Sequence, residues 1–189
     1  RIRLQLALME NNNDTQSISD DIREMETMID GYITFAAGGG EEAPRETDLA
    51  SLLDKMITQA HKSHKFDIRL LPVNDKIPQF PLRQNAIQRA FSNIISNGIR
   101  YSKEMVVSIH TRNEEVIVNF DDNGAGIPEE RRADAIRPFV RLEQSRNRRT
   151  GGTGLGLSIT SDIILAHGGE LSLSDSPLGG LRVVVKLPV

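Results

Sequence analysis

Gly152-Thr153-Gly154-Leu155-Gly156-Leu157 is a glycine-rich stretch downstream of a second one, Asp122-Asn123-Gly124-Ala125-Gly126. Glycine lets main-chain N–H groups approach a ligand closely, because its backbone adopts angles that other residues avoid. The later stretch continues into an apolar periodic segment, so it is predicted to begin a helix, where unpaired N–H groups favour an anion. Each stretch alone is typical of an ordinary loop. Together, with a carboxylate heading the first, they predict a pocket that holds a base at one end and phosphates at the other.

Two common phosphate-binding motifs do not fit these stretches. A Walker loop requires a lysine after its glycines, and no glycine cluster of this chain is followed by one. A dinucleotide fingerprint requires G-x-G-x-x-G directly after a strand. Gly154 and Gly156 lack the third glycine, and a basic stretch at 146–149 precedes them. Both motifs are therefore excluded.

The composition limits the class of protein. The chain has 189 residues, 38% of them hydrophobic, which is enough for one packed domain and a small additional piece. A net charge of −3 argues against a dedicated nucleic-acid-binding protein. Because there is no cysteine, disulfides and cysteine-based zinc sites are excluded. No apolar run approaches the roughly 18 residues that span a bilayer, and no signal peptide is visible.

The first 36 residues have the pattern of a helical hairpin. Residues 2–8 have the apolar pattern of one helix, and residues 18–33 carry apolar side chains at the spacing of a second. Two helices cannot bury an apolar stripe alone, so a homodimeric four-helix bundle is the expected completion; packing of the stripe on the rest of the chain is the alternative. No N-cap precedes residues 2–8, which predicts that the chain is part of a longer protein.

Residues 37–47 are predicted to be a linker, because three glycines are followed by charges and a proline. Residues 48–189 are predicted to form a second domain, in which helices alternate with short strands joined as hairpins. The predicted elements are helices at 49–57, at 82–101 and after the second glycine-rich stretch, and strands at 66–71, 76–80, 106–111, 116–120, 170–174 and 181–187. The predicted fold class is α+β, a two-layer α/β sandwich with helices on one face of a mixed sheet, preceded by the truncated hairpin.

The predicted helix at 82–101 carries a polar stripe. Asn93, Asn97 and Tyr101 recur at i, i+4 spacing and therefore share one face. Two amide oxygens one turn apart suit magnesium, which usually shares its coordination shell with water and substrate phosphates. A solvated polar face is the plainer interpretation of this helix alone. Its position before both glycine-rich stretches favours the magnesium site.

The order of these motifs resembles the catalytic and ATP-binding domain of bacterial sensor histidine kinases, in the ATPase superfamily shared with gyrase, the Hsp90 chaperone and MutL. Residues 93–101 resemble the N box, 122–128 the G1 box, 137–141 the F box and 152–157 the G2 box. Residues 1–36 resemble part of the dimerisation and histidine-phosphotransfer hairpin. The short segment between the F and G2 boxes is similar to that of the osmosensor EnvZ group.

The resemblance implies a role for each motif. Asp122 would accept a hydrogen bond from the exocyclic amine of adenine, and Gly124 and Gly126 would let the chain pass beside the base. Asn97 would bind magnesium through its amide oxygen, with Asn93 beside it, and residues 129–151 would form a lid over ATP. The implied nucleotide-binding residues are Asn93, Asn97, Arg100, Tyr101, Asp122, Gly124, Gly126, Ile127, Phe139, Arg141, Gly152, Thr153, Gly154, Leu155, Gly156 and Leu157.

The implied reaction is phosphoryl transfer from ATP, with Mg²⁺, to a histidine, and then to an aspartate on the receiver domain of a response regulator. The family's acceptor histidine lies in a motif that none of the four histidines fits: His61, His64, His110 and His167. The acceptor is therefore expected upstream of Arg1, and no catalytic residue is identified in this chain. The resemblance also implies the cytoplasmic portion of an inner-membrane protein, joined to the membrane only through upstream segments.

Two other functions remain open from the sequence. An ATPase switch like the chaperone and mismatch-repair members requires a water-activating carboxylate near Asn93, but residues 86–101 contain no acid. A degenerate, non-catalytic scaffold or a phosphatase-type regulator is disfavoured by the intact boxes, although a lost acceptor would not be visible in this chain.

Overall fold

In the computed structural model of the protein, residues 42–64, 66–73, 76–140 and 154–189 are described. The predicted dimerising hairpin at 1–36 lies outside these residues. The elements of the described part are, in chain order, β1 (Arg45–Thr47), α1 (Leu49–His64), β2 (Asp67–Leu70), β3 (Phe80–Leu82), α2 (Gln84–Tyr101), β4 (Glu104–Arg112), β5 (Glu115–Asp122), α3 (Glu129–Ala135), α4 (Gly156–Leu165), β6 (Glu170–Asp175) and β7 (Leu181–Pro188).

Five strands form a mixed sheet in the order β2-β4-β5-β7-β6. The pair β2–β4 is parallel and the other three pairs are antiparallel. The β4–β5 hairpin closes at Asn113 and Glu114, as predicted, and both have positive φ, which two-residue hairpin turns of type I′ require. The β5–β7 register places Asp121 opposite Arg182, so the end of β5 meets the start of β7.

The helices α1, α2 and α4 cover one face of this sheet, which confirms the predicted two-layer sandwich. Alternation along β5 turns Val116, Val118 and Phe120 toward the helices, and all three are fully buried. Phe91 of α2 packs on Phe120 with the ring centroids 5.3 Å apart. The rest of this core is mostly aliphatic, as the low aromatic content predicted.

The region around β1 and β3 differs from the prediction. The strand predicted at 76–80 forms instead at 80–82, because Pro78 has no N–H to donate to a ladder, whereas Pro81 is tolerated in a two-stranded pair. Its partner β1 belongs to the predicted linker, and Thr47 of that strand is buried. The last residues before α1 therefore pack on the domain.

Helix α3 occupies part of the predicted lid, where no helix was predicted. No helix in the four described ranges is long and apolar enough to cross a bilayer.

Candidate nucleotide-binding site

Asp122, at the end of β5, is held rigidly at the centre of the candidate site. Its Oδ1 accepts the N–H of Gly124 at 2.8 Å and the N–H of Leu181 at 3.0 Å. Oδ2 accepts no hydrogen bond from any described residue. Since no fully buried side-chain oxygen in the described part of the chain lacks a partner, Oδ2 is open to its surroundings. The buried carboxylate thus presents one oxygen in a fixed direction as a hydrogen-bond acceptor.

The adjacent acid, Asp121, is engaged elsewhere. Successive strand residues point to opposite faces, so Asp121 lies on the sheet face away from the helices. Arg182 donates to both of its oxygens, at 2.6 and 2.9 Å. This hydrogen bonding raises the pKa of Arg182 and outweighs the lowering effect of burial. The two neighbouring carboxylates therefore have separate partners, and only that of Asp122 has an open oxygen.

The turn between β6 and β7 supplies two residues that the motifs did not identify. Leu181 provides one of the two N–H groups on Asp122. Gly180 packs so closely that a Cβ placed on it would lie 2.2 Å from Asp122 Oδ1 and 2.5 Å from the nitrogen of Gly124. The paired glycines at 179–180 were visible in the sequence only as a hairpin turn. Their contact with Asp122 depends on the β5–β7 pairing, which no local pattern reveals.

The first glycine-rich stretch is shaped by close contacts within the protein. A Cβ on Gly124 would lie 2.5 Å from the carbonyl oxygen of Tyr101, and Gly126 has a φ of +69° beside the carbonyl of Gly180. Asn123, which the motif analysis assigned no role, accepts the N–H groups of Lys103 and Glu104 through Oδ1, both at 3.0 Å. The turn is therefore fixed to the end of α2, to the start of β4 and to the β6–β7 turn.

The two asparagines of α2 lie against the first residue of α4. Asn93 Nδ2 donates to the carbonyl of Gly156 at 3.2 Å. Both terminal atoms of the Asn97 amide lie 3.9 Å from where a Cβ on Gly156 would stand. The predicted polar stripe is thus turned toward the start of the glycine-turn helix, and both side chains are half-buried.

The N-terminus of α4 carries no side-chain cap, and its first turn contains no acid. The main-chain N–H groups at the start of a helix have no partner within the helix. Together with the helix dipole, such N–H groups favour an anion at this end of α4, which lies next to Asn93 and Asn97. Leu155, which precedes the helix, is buried, so this end is held against the domain.

The F box and the G2 box meet directly. The N–H of Phe139 donates to the carbonyl of Gly154 at 3.0 Å, and Gly154 has a φ of +67°. A Cβ on Gly154 would lie 3.0 Å from the carbonyl carbon of Phe139 and from the oxygen of Val140. Arg141, Gly152 and Thr153 lie outside the described residues.

The remaining predicted nucleotide-binding residues of the described part are Arg100, Tyr101, Ile127 and Leu157. Arg100 stacks over the ring of Tyr101, 5.9 Å from its centroid, and both side chains are exposed. The carbonyl of Ile127 accepts the Nε–H of Arg132 at 3.0 Å. Leu157 is half-buried in the first turn of α4.

A sequence model of the family described as histidine kinase-, DNA gyrase B- and HSP90-like ATPases matches residues 83–189. The chain belongs to this family. The match extends from the N-cap of α2 to the end of the chain, so it contains every element of the site just described.

Sensor histidine kinases are homologous to this ATPase domain. CpxA of Escherichia coli (strain K12) is 32% identical over 202 residues, which cover 100% of this chain and 43% of CpxA. The ATP-binding domain of PrrB from Mycobacterium tuberculosis is 27% identical with a TM-score of 0.56, covering 77% of this chain and 96% of that one. Full-length ShkA, in complex with AMPPNP, has a TM-score of 0.72 at 19% identity, covering 97% of this chain and 40% of ShkA, and shows the same fold.

Two of the described histidines form hydrogen bonds with the main chain. His61 Nδ1–H donates to the carbonyl of Phe66 at 2.9 Å. His167 Nδ1–H donates to the carbonyl of Ile163 at 2.7 Å, and its Nε2 accepts the N–H of Arg83 at 3.2 Å, so this imidazole is neutral. Burial is the main cause that lowers the pKa of His167. His167 follows Ala166, the C-cap of α4.

His167 is expected to make stability depend on pH. In the unfolded chain its imidazole takes up a proton near pH 6.5, whereas the folded protein resists protonation until a lower pH. The contribution of the neutral His167 to the free energy of unfolding is therefore fully present above about pH 6.5, and it is lost as the pH falls toward the lowered pKa. Urea denaturation between pH 7.5 and 5 should give a smaller loss of stability for His167→Gln than for the parent. An equal loss in both proteins would contradict this assignment.

Proposed function

We propose that the chain is the ATP-binding catalytic part of a sensor histidine kinase, which transfers a phosphoryl group from ATP to a histidine outside these residues. That group would then pass to an aspartate on the receiver domain of a response regulator. The observation that carries the proposal is the fixed carboxylate of Asp122, with one oxygen held by two main-chain N–H groups and the other open.

Adenine recognition follows from the orientation of that open oxygen. A carboxylate oxygen only accepts hydrogen bonds, so Asp122 Oδ2 pairs with the exocyclic amine of adenine and not with the carbonyl that guanine carries there. The N–H groups of Gly124 and Leu181 prevent the carboxylate from rotating. A fixed acceptor loses little conformational entropy when the base binds, which favours affinity.

Phosphate binding is assigned to the first turn of α4 and the facing side chains of α2. The uncapped N–H groups of α4 hold phosphate oxygens, and the neutral amides of Asn93 and Asn97 add no negative charge beside them. These amide oxygens fit a magnesium ion that takes its other ligands from phosphates and water. Among the described residues there is no cluster of three or more histidine, cysteine or acidic side chains that could hold a metal ion. Bound magnesium would neutralise charge on the phosphates during transfer.

The absence of an acid on α2 favours kinase chemistry over ATP hydrolysis. Hydrolysis in this kind of site needs a carboxylate that activates water next to the asparagines, and residues 84–101 contain neither aspartate nor glutamate. Phosphoryl transfer to a supplied histidine needs positioning and charge neutralisation only.

The larger assembly belongs to the same proposal. The chain spans 43% of the length of CpxA. In this proposal, the acceptor histidine and the membrane anchor belong to segments outside it. We place the partial dimerising hairpin at residues 1–36, the linker at 37–47, with its last three residues paired on the catalytic domain as β1, and the catalytic domain at 48–189. The hairpin pairs two copies as a four-helix bundle, and the whole protein is a membrane-anchored sensor with this portion in the cytoplasm.

The proposal is tested with two proteins. Calorimetric titration of the 189-residue chain with ATP and Mg²⁺ is expected to show binding with a Kd in the micromolar range. This Kd corresponds to a binding free energy on the order of −7 to −8 kcal/mol. A chain extended upstream to include the acceptor is expected to gain an acid-labile phosphate from ATP. No nucleotide binding by the shorter chain would contradict the site. Binding without phosphorylation in an extended chain that contains a histidine in the family motif would contradict the kinase activity.

A further inference from the structure

The carboxylate of Glu42, within the predicted linker, caps the helix that carries the asparagines. Glu42 Oε1 accepts the N–H of Asn85 at 2.9 Å, and Oε2 accepts the N–H of Ala86 at 3.2 Å. The N-cap residue of α2, Arg83, makes no side-chain cap of its own, and the first turn contains no acid. A segment outside the helix therefore satisfies two of its first N–H groups and supplies the negative charge that the helix dipole favours.

The same end of α2 is joined to the last turn of α4. Arg83 donates through its main-chain N–H to His167 Nε2 at 3.2 Å and through Nη2 to the carbonyl of Ala166 at 3.0 Å. Glu42, the start of α2 and the end of α4 therefore form one hydrogen-bonded cluster. This cluster lies at the opposite end of the helix pair from Asn93 and Gly156.

Cross-helix hydrogen bonds continue along the pair toward the phosphate position. The Oγ1 of the buried Thr160 has one proton, which it shares between the carbonyl of Gly156 in its own helix, at 2.8 Å, and the carbonyl of Ala90 on α2, the longer contact at 3.3 Å. One helical turn further, Asn93 donates to Gly156. The contacts of Arg83, Ala90 and Asn93 with α4 and the residues after it have one antiparallel register, so the two helices are fixed against sliding along each other. A cap at the start of α2 consequently affects how Asn93 is aligned with Gly156 at the other end of the helix pair.

We propose that Glu42 is a positioning residue for the phosphate end of the nucleotide site, through which the segment upstream of β1 controls ATP binding. This inference rests on the proposed function. Withdrawal of Glu42 leaves two N–H groups of α2 without their acceptor and removes one attachment that fixes the axial position of α2. Asn93 and Asn97 then lose their alignment with Gly156. A displacement of Glu42 is transmitted to the phosphate end of the site in this way, without any contact between the linker and ATP.

The adenine end of the site lies on different elements. Asp122 is held by Gly124 and Leu181, which belong to the β5 turn and to β7. Loss of the Glu42 cap is therefore expected to weaken binding of the phosphates while leaving recognition of the base unchanged. A merely structural role for Glu42 would lower both affinities together, or neither.

The test uses the 189-residue chain with Glu42→Ala, Glu42→Gln and, as control, Glu46→Ala. Glu46 is an exposed carboxylate on β1 that accepts no hydrogen bond from any described residue of α2. Calorimetry with Mg-ATP should show an affinity loss of about five- to tenfold for Glu42→Ala, the size expected for a lost helix cap. Glu42→Gln should lose less, because its amide oxygen still accepts one N–H. Glu46→Ala should bind like the parent, and adenosine affinity should be the same in all four proteins.

Unchanged Mg-ATP affinity in Glu42→Ala, or parallel losses for Mg-ATP and adenosine, would overturn the inference. If the parent binds neither ligand, the proposed function fails. The coupling between the Glu42 cap and the residues around Asn93 and Gly156 is then tested by amide hydrogen exchange. In that case faster exchange at 93–98 and 156–159 in Glu42→Ala, but not in Glu46→Ala, supports the coupling. Unchanged exchange in those segments overturns it.

Discussion

Asp122→Asn is expected to lower the affinity for ATP by about 100-fold, because it replaces an acceptor with a donor opposite the adenine amine. The remaining amide oxygen still accepts the N–H groups of Gly124 and Leu181, so the turn keeps its conformation. The melting temperature should therefore change little while calorimetric binding is almost lost. Asp122→Ala should lose binding to at least the same extent and also destabilise the fold, since two buried N–H groups lose their acceptor.

Asp121→Asn is the matched control for this experiment. It makes the same chemical change one residue earlier, but on the opposite face of β5, where it disrupts the ion pair with Arg182. Stability is expected to fall by about 1–2 kcal/mol, with nucleotide affinity retained. If Asp121→Asn removes binding and Asp122→Asn does not, the assignment of the base-recognising acid is wrong.

Gly180→Ala is expected to have the second-largest effect, on both stability and binding. The added Cβ would lie 2.2 Å from Asp122 Oδ1, 2.5 Å from the nitrogen of Gly124 and 2.6 Å from the carbonyl oxygen of Asp122. Two of these atoms are main chain, so a rotamer change cannot relieve the overlap. The β6–β7 turn must move, which should cost roughly 2–3 kcal/mol. Differential scanning fluorimetry should show a melting temperature lower by roughly 5–10 °C, and calorimetry a large loss of ATP affinity.

Gly179→Ala separates this overlap from a general effect of substitution in the turn. Gly179 has a φ of +92°, but a Cβ there would meet nothing within 4 Å. The variant is expected to lose about 1 kcal/mol through backbone strain and to keep its ATP affinity. Equal losses of affinity in the two variants would show that the turn as a whole, and not the contact with Asp122, is responsible.

The fold and the motif residues could be predicted because their signals are local. Alternation identified β4, β5 and β7, and the i, i+4 spacing placed Asn93 and Asn97 on one face of a helix. The strand predicted at Lys76–Phe80 forms instead at Phe80–Leu82. The prolines at 78 and 81 decide this shift, and their effect depends on the strand with which each residue would pair. Helix α3 has no buried residue, so it has no apolar stripe from which to predict it.

The residues that the sequence did not identify all act across the chain. Gly180 and Leu181 reach Asp122 only through the β5–β7 pairing, and Glu42 reaches α2 only through the packing of β1 on β3. A hairpin turn and a charged linker are the plain interpretations of those positions, and nothing within a few residues distinguishes them. Residues that act through contacts between distant segments therefore could not be predicted from local sequence motifs.

The hydrogen bond between Phe139 and Gly154 also bears on how the domain accommodates changes in chain length between these two residues. It joins two described residues that flank residues 141–153, so the points at which the chain leaves and re-enters the described part of the domain lie close together. Closing a longer loop between fixed ends adds only about 0.6 kcal/mol for each doubling of its length. Changes in the number of residues between Phe139 and Gly154 are therefore expected to leave Asp122 and α4 undisturbed.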